Sequence, residues 1–215
     1  MQTITAIEAQ KKNPQRVNVY LDGEFAFGLA RIVAAWLQVG QTLTDEKIAA
    51  LQGEDAREMA YQRALRFLSY RPRSLAEIRR NLRKHEAPEA VIAATLERLQ
   101  RNGLADDEQF AQAWVENRNT FRPRSRWALS VELRQKGLAE EVIQSTLDEN
   151  VDDSALAYEA GVRKARKLTG LEWPDFRRKL GEFLARRGFS YPVIAPLLSQ
   201  IWEEVQQEQG QERTF

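Results

Sequence analysis

Residues 122–147, RPRSRWALSVELRQKGLAEEVIQSTL, decide the fold, because the same pattern stands on both sides of them. Upstream, Arg71-Pro72-Arg73-Ser74 leads to Ile78, Leu82, Val91-Ile92 and Leu96. Ser74, Leu82, Val91 and Leu96 each lie 51 residues before Ser125, Leu133, Val142 and Leu147. Downstream, Leu129, Leu133, Gly137, Val142-Ile143 and Leu147 recur 51 residues on at Leu180, Leu184, Gly188, Val193-Ile194 and Leu198, without a gap. A fixed period of this length means stacked supersecondary units, each too small to bury its apolar face alone.

Each period holds three helices. Ser74 and Glu77 form a Ser-x-x-Glu capping box that opens a second helix with Leu75, Ile78 and Leu82 on its buried stripe. Before it, Ala60, Ala64, Phe67 and Leu68 line a helix from about Asp55 to Tyr70, ended by Pro72. After it, Pro88 opens a helix that buries Val91, Ile92, Leu96 and Leu99 and stops at Gly103. The second repeat is expected at 107–119, 125–136 and 139–149, with Gly137 giving a left-handed stop that the first lacks at Glu86. The third is expected at 154–168, 175–187 and 190–207, and Gln206 to Phe215 reads as a fraying polar tail.

Ahead of the repeats, two alternating stretches, 16–21 and 24–28, flank Asp22-Gly23, a type I′ hairpin signal. Residues 3–28 are expected to form a two- or three-stranded antiparallel sheet. A helix over 29–38 closed by Gly40 follows, then one from Thr44 to Gln52 stopped by Gly53. The fold class is therefore mainly α, three tandem three-helix repeats in an elongated array behind a small β-hairpin and helix module. The segments are 1–55, 56–103, 104–153, 154–208 and a tail 209–215.

With no cysteine and one histidine, disulfides, thiol catalysis and the usual zinc sites drop out, and no cofactor or metal is expected. No apolar run approaches the roughly 20 residues of a membrane span, and no secretory leader pattern opens the sequence, so a cytoplasmic protein is expected. The net charge of +1 hides a gradient: residues 56–103 carry 11 Lys and Arg against 5 Asp and Glu, 104–153 carry 6 against 11, and 154–205 carry 9 against 6. Such alternation suits a protein partner that itself carries nucleic acid better than naked DNA.

Asp106-Asp107-Glu108 resembles a metal or acid pair, but acids at a helix start answer its free N–H groups, and capping is the simpler account. His85 ends a helix in the run Arg83-Lys84-His85 and has no carboxylate partner in sequence. Phosphate-loop, nucleophile-elbow and zincin motifs are missing, so no enzyme is expected. Of the tryptophans, Trp36, Trp114, Trp173 and Trp202 are expected to pack in cores, whereas Trp127, beside Arg122, Arg124 and Arg126, suits contact with a partner. Arg83 with Lys84, Arg134 with Lys136, and Arg186 with Arg187 recur at the ends of the second helices. They answer the helix dipole, or form a row of positive corners that meets an acidic or phosphate-bearing surface. Arg71 and Arg73 extend the set.

Gly103-Leu104-Ala105-Asp106-Asp107-Glu108-Gln109-Phe110-Ala111, with Trp114 and Arg118, resembles the segment joining the first two repeats of the RecX regulatory proteins. Ala64-Leu65 with Arg71, Arg73-Ser74 and Glu77, then Glu132 to Leu138, then Arg187-Gly188-Phe189-Ser190-Tyr191 resemble that family's three repeats in order, over about 56–205. Arg124-Ser125-Arg126-Trp127 departs from a glycine-led start of the second repeat. The resemblance implies a noncatalytic monomeric regulator, acting in DNA repair, recombination and the SOS response. It implies binding to the RecA recombinase, chiefly its filament on single-stranded DNA, and restraint of filament growth, ATP hydrolysis, strand exchange and coprotease activity. A helical module that binds DNA directly, without RecA, is the alternative.

Overall fold

The structure, a computed structural model, describes the backbone of residues 1–212 and the side chains of residues 1–208. Two compact units divide the chain, Met1–Ala105 and a second that begins at Asp106.

The first unit opens with β1 (Gln2–Gln10), β2 (Asn13–Leu21), β3 (Glu24–Ala30) and β4 (Thr42–Leu43), paired antiparallel in the order β3-β2-β1-β4. Asp22 at φ 51° and Gly23 at φ 91° make the expected turn between β2 and β3. The sheet gains a fourth strand because Gln2 and Thr3 pair with Leu43 and Thr42. No helix covers 29–38: Phe27 and Leu29 alternate into the core and keep the chain extended, and only a 3-10 turn, Val33–Trp36, follows. So short a turn has no second layer to cover it, so Trp36 stands 88% exposed, against the core position expected.

The two helices expected on either side of Gly53 are one, α1 (Asp45–Leu68), capped by Thr44 Oγ1, which accepts from Lys47 N. A single interior glycine costs a helix about 1 kcal/mol, and this one gains more by continuing. Its first half sets Ile48 and Leu51 against the sheet, and its second half sets Ala60, Tyr61 and Ala64 into the repeat core. A Cβ at Gly53 would meet nothing within 4 Å. Gly53→Ala is therefore expected to stabilise the first unit by about 0.5–1 kcal/mol, seen as a higher urea midpoint.

Repeat one is completed by α2 (Leu75–Lys84) and α3 (Glu89–Arg101). Both halves of the capping box are made: Glu77 N donates to Ser74 Oγ, and Ser74 N donates to Glu77 Oε2. Ile78, Leu82, Ile92 and Leu99 are fully buried. Glu86 lies at φ 59°, so the left-handed stop occurs here too, on a residue other than glycine. The geometry of the turn is periodic where its glycine is not.

Repeats two and three are α4 (Asp107–Phe121), α5 (Arg126–Gln135), α6 (Glu140–Asn150), α7 (Asp153–Ala165), α8 (Trp173–Ala185) and α9 (Tyr191–Glu212). Asp106 Oδ1 accepts from Glu108 N and Gln109 N, which assigns the acidic run to capping, and Asp152 Oδ1 does the same for α7. Leu129, Leu133, Ile143 and Leu147 fill one core; Phe176, Leu180, Leu184 and Ile201 fill the next, with Trp173 and Trp202 packed on it. The fraying expected of the tail falls partly on 213–215, outside the described residues; the helix itself reaches Glu212.

Repeats two and three meet at the start of α5. Ser125 N donates to Arg187 O, and Arg187 Nη1 donates to Pro123 O. Gly188, at φ 91°, lies so close that a Cβ would stand 2.6 Å from Ser125 Oγ and 2.9 Å from Ala128 Cβ.

Candidate functional site

The basic residues singled out by sequence divide into those tied into the fold and those left at the surface. Arg71 forms a two-pronged pair with Glu77, at 3.0 and 3.2 Å. Arg83 Nε donates to Glu89 Oε2 at 3.0 Å, and the pair recurs one period on as Arg134 with Glu140, at 2.7 and 2.8 Å. Each joins the end of a second helix to the start of the third. In repeat three Arg186 lies 3.7 Å from Glu182 of its own helix. The periodic cations thus have an internal use, while Lys84 stands exposed at the end of α2.

Glu140 is held down to about 2, first by the Arg134 hydrogen bond and then by that of Gln144. Its folded pKa is depressed, so its contribution to stability is complete above the ordinary carboxylate range near 4.5 and is lost as pH falls through about 2. Both partners are exposed, and salt weakens the pair. Following the Glu140 carboxyl carbon by NMR should give a midpoint near 2, rising toward the ordinary range in Arg134→Gln.

A second arrangement converges on the start of α5. Trp114 Nε1, Arg118 Nε and Arg124 Nε meet the Glu132 carboxylate at 2.7, 2.8 and 3.1 Å, and Lys136 Nζ and the Arg118 guanidinium lie 4.7 and 4.5 Å from the Trp114 ring. Arg126 is held by Gln144 and Asp148, and its N–H donates to Asp153 Oδ1. Trp114 packs against the repeat-two core, whereas Trp127 is 67% exposed and Phe121, at the end of α4, is 72% exposed.

Arg187, stacked 4.5 Å from the Phe183 ring, is the centre of a cationic group. Burial pushes its pKa down, and Arg124, Arg122 and Arg163 push it further. Arg163 belongs to α7, donates to Thr120 O, and is invisible to sequence spacing because only the fold of repeats two and three brings it here. Arg122 makes no ion pair among the described residues. Arg73 stacks 4.0 Å from the Phe67 ring in the first unit, its Nε buried with no hydrogen-bond partner. Its pKa is lowered by burial and by Arg71.

What unites repeats two and three is thus a patch where Arg187 is approached by three further guanidiniums, those of Arg122, Arg124 and Arg163. Such a patch can take phosphates or carboxylates. Among the described residues no three His, Cys, Asp or Glu side chains come together as metal ligands, and no helix is long and apolar enough to cross a membrane.

Family models match the chain in four consecutive pieces. The regulatory protein RecX N-terminal domain covers 2–44, and the first, second and third RecX three-helix domains cover 60–99, 106–147 and 152–198. The regulatory protein RecX of Bacillus pumilus is 31% identical over 218 residues, which take in 99% of this chain and 82% of that one. That of Bacillus subtilis is 33% identical over 208 residues, 94% and 78% of the two. A crystal structure of regulatory protein RecX superposes with a TM-score of 0.71 at 29% identity, over 92% of this chain and 98% of that one. RecX from Lactobacillus salivarius, at 23% identity, shares the fold with a TM-score of 0.61 over 69% and 97%. Sheet module and three helical repeats together, the chain belongs to the RecX family of regulatory proteins.

Proposed function

We propose that this protein is a noncatalytic regulator that binds the RecA filament on single-stranded DNA and restrains its growth and ATP hydrolysis. Family membership over nearly the whole chain is the observation that carries this reading. The basic patch of repeats two and three supports it: Arg122 and the exposed face of Trp127 are free for a partner, while Arg124 and Arg187 hold the corner in shape. Lys84 adds an exposed positive charge, while Arg83, Arg134 and Arg186 would meet a partner beside the glutamates that hold them, and Lys136 beside the Trp114 ring. A ligand shifts a polymer only through different affinities for its states, so binding must favour one form or one end of the filament. The protein acts as a monomer in the cytoplasm.

Direct DNA binding is the rival that the same arginines raise. Affinity for naked single-stranded DNA would fall steeply between about 50 and 200 mM salt as counterions are released. Co-sedimentation with RecA–DNA filaments and with DNA alone, across that salt range, separates the two. Retention on filaments at salt that abolishes binding to bare DNA is the expected result; equal loss from both would favour the DNA binder. In the same assay Arg122→Glu with Trp127→Ala should weaken filament binding without loss of helicity.

A further inference from the structure

The first unit contains a groove that repeat two has closed and repeat one has left open. In repeat two the Glu132 carboxylate gathers Trp114, Arg118 and Arg124. The residues 51 positions earlier are Asn81, Arg63, Phe67 and Arg73. Asparagine therefore stands where the carboxylate stood, and Asn81 Oδ1 and Arg73 Nε are each buried with no hydrogen-bond partner among the described residues. Arg73 keeps the place of Arg124, phenylalanine and arginine exchange the ring and cation positions at Phe67 and Arg63, and the internal anion is gone.

The corner opens into a cavity of about 660 Å³ between α1, the end of α2 and the sheet, lined in part by Arg16, Arg31, Arg63 and Arg66. Glu58 is its single acid, and both its oxygens are used: Oε1 accepts from Gln62 and Oε2 from Arg98, each at 2.8 Å. Arg16 is held by Asp55, whereas Arg31, Arg63 and Arg66 are exposed and make no ion pair among the described residues. The groove exists because α1 runs on through Gly53. Its face at Met59, Arg63 and Arg66 follows helical spacing but points away from the core that Ala60 and Ala64 fill, and Tyr70 in the turn after the helix continues the same lining.

We propose that this groove receives an acidic segment of another polypeptide, extended along α1, with carboxylates against Arg31, Arg63 and Arg66 and an apolar side chain against Met59 and Tyr70. From Met59 to the end of α1 at Leu68 the helix rises roughly 13 Å, the length of about four extended residues, and Tyr70 stands in the turn just beyond it. A peptide suits it better than nucleic acid for two reasons. The fold itself closes the equivalent corner with a carboxylate, Glu132. The exposed apolar groups are mainly aliphatic, Ile32 and Met59, and the Phe67 ring is already covered by Arg73, so the rings left exposed along the groove are Tyr70 and the imidazole of His85 at its edge, too few for a run of stacked bases. This inference concerns a different surface from the patch of repeats two and three, and it stands or falls without RecA.

The test is fluorescence anisotropy with the full chain, using a short labelled peptide of glutamates and leucines and, separately, a labelled oligo-dT of equal charge. The peptide should bind, and the double variant Arg63→Gln, Arg66→Gln should weaken it about tenfold or more, since two charge-assisted contacts are lost. Asn81→Glu, which restores the internal carboxylate, should weaken it as well while leaving the far-ultraviolet circular dichroism unchanged. Failure of the peptide to bind, or binding indifferent to all three substitutions, would overturn the proposal. So would oligo-dT binding that these substitutions abolish and the peptide cannot displace, which would assign the groove to nucleic acid.

Discussion

Replacing Gly188 with alanine is expected to destabilise the unit that begins at Asp106 by about 3 kcal/mol or more. Two costs combine. A side chain at φ 91° is held in a region that costs of order 1–3 kcal/mol outside glycine. Its Cβ would also stand 2.6 Å from Ser125 Oγ and 2.9 Å from Ala128 Cβ, an overlap of the kind that costs about 1–3 kcal/mol in a packed core. Ser125 cannot yield easily, since its hydroxyl caps α5 by accepting from Ala128 N and its own N–H donates to Arg187 O. Gly170 is the control, with φ 81° and nothing within 4 Å of the place its Cβ would take. Gly170→Ala should cost about 1–2 kcal/mol, the backbone contribution alone. Urea denaturation of both variants measures the difference; equal losses would mean that the contact between repeats two and three contributes nothing. Because the same joint places Arg187 against Pro123, Gly188→Ala should also weaken filament binding.

The second large effect is expected at Asp55. Its carboxylate accepts from Arg16 Nη2 at 2.9 Å, Arg16 Nη1 at 3.2 Å and the backbone N–H of Ala30 at 2.6 Å. Both side chains are mostly buried, at 17% and 14% exposure. Removing one member of a buried pair leaves the other charge uncompensated, which costs about 3–5 kcal/mol when burial is complete; here residual solvent brings Asp55→Ala to about 2–3 kcal/mol. Hydrogen exchange should quicken first in β2 and β3, which this link ties to α1. In a double-mutant cycle, Arg16→Ala should cost much less once Asp55 is alanine. Additive losses would show that the two residues act apart.

Much of the helical architecture is legible because it is written three times. Buried leucines and isoleucines at a 51-residue spacing, with Ser74 and Ser125 ahead of them, fix the starts of the second and third helices of each repeat to within about two residues, while the last helix runs on to Glu212, five residues past its expected end. Sequence fails where local signals meet tertiary demands. Gly53 reads as a stop, yet packing on two cores at once carries α1 across it. Leu29 to Gln38 carries good helix formers, yet pairing with β2 extends the chain to Ala30. Glu86 shows the reverse case, a left-handed turn imposed by the repeat on a residue that does not favour it.

The candidate site is legible only as a set of arginines. Position in sequence places Arg83 and Arg134, and likewise Glu89 and Glu140, at corresponding points 51 residues apart, but only the fold shows that each glutamate closes on its arginine. Conversely, Trp127 is marked by its neighbours and is exposed, while the contribution of Arg163 depends on a contact between helices far apart in the chain. Arg63 and Arg66 carry no signal of their own, because arginines on the outer face of a helix read as ordinary solvent-facing surface. Only the loss of the repeat-two carboxylate at Asn81 distinguishes them.

The most direct measurement of the central claim is a titration of this protein into the RecA ATPase reaction driven by single-stranded DNA, at near-physiological salt. Inhibition at well below one copy per RecA is the expected result, because a molecule that acts on a filament end or propagates a bound state affects many protomers. Inhibition that begins only when the DNA itself is saturated would contradict it, and would identify a protein that competes for DNA and has no need of RecA.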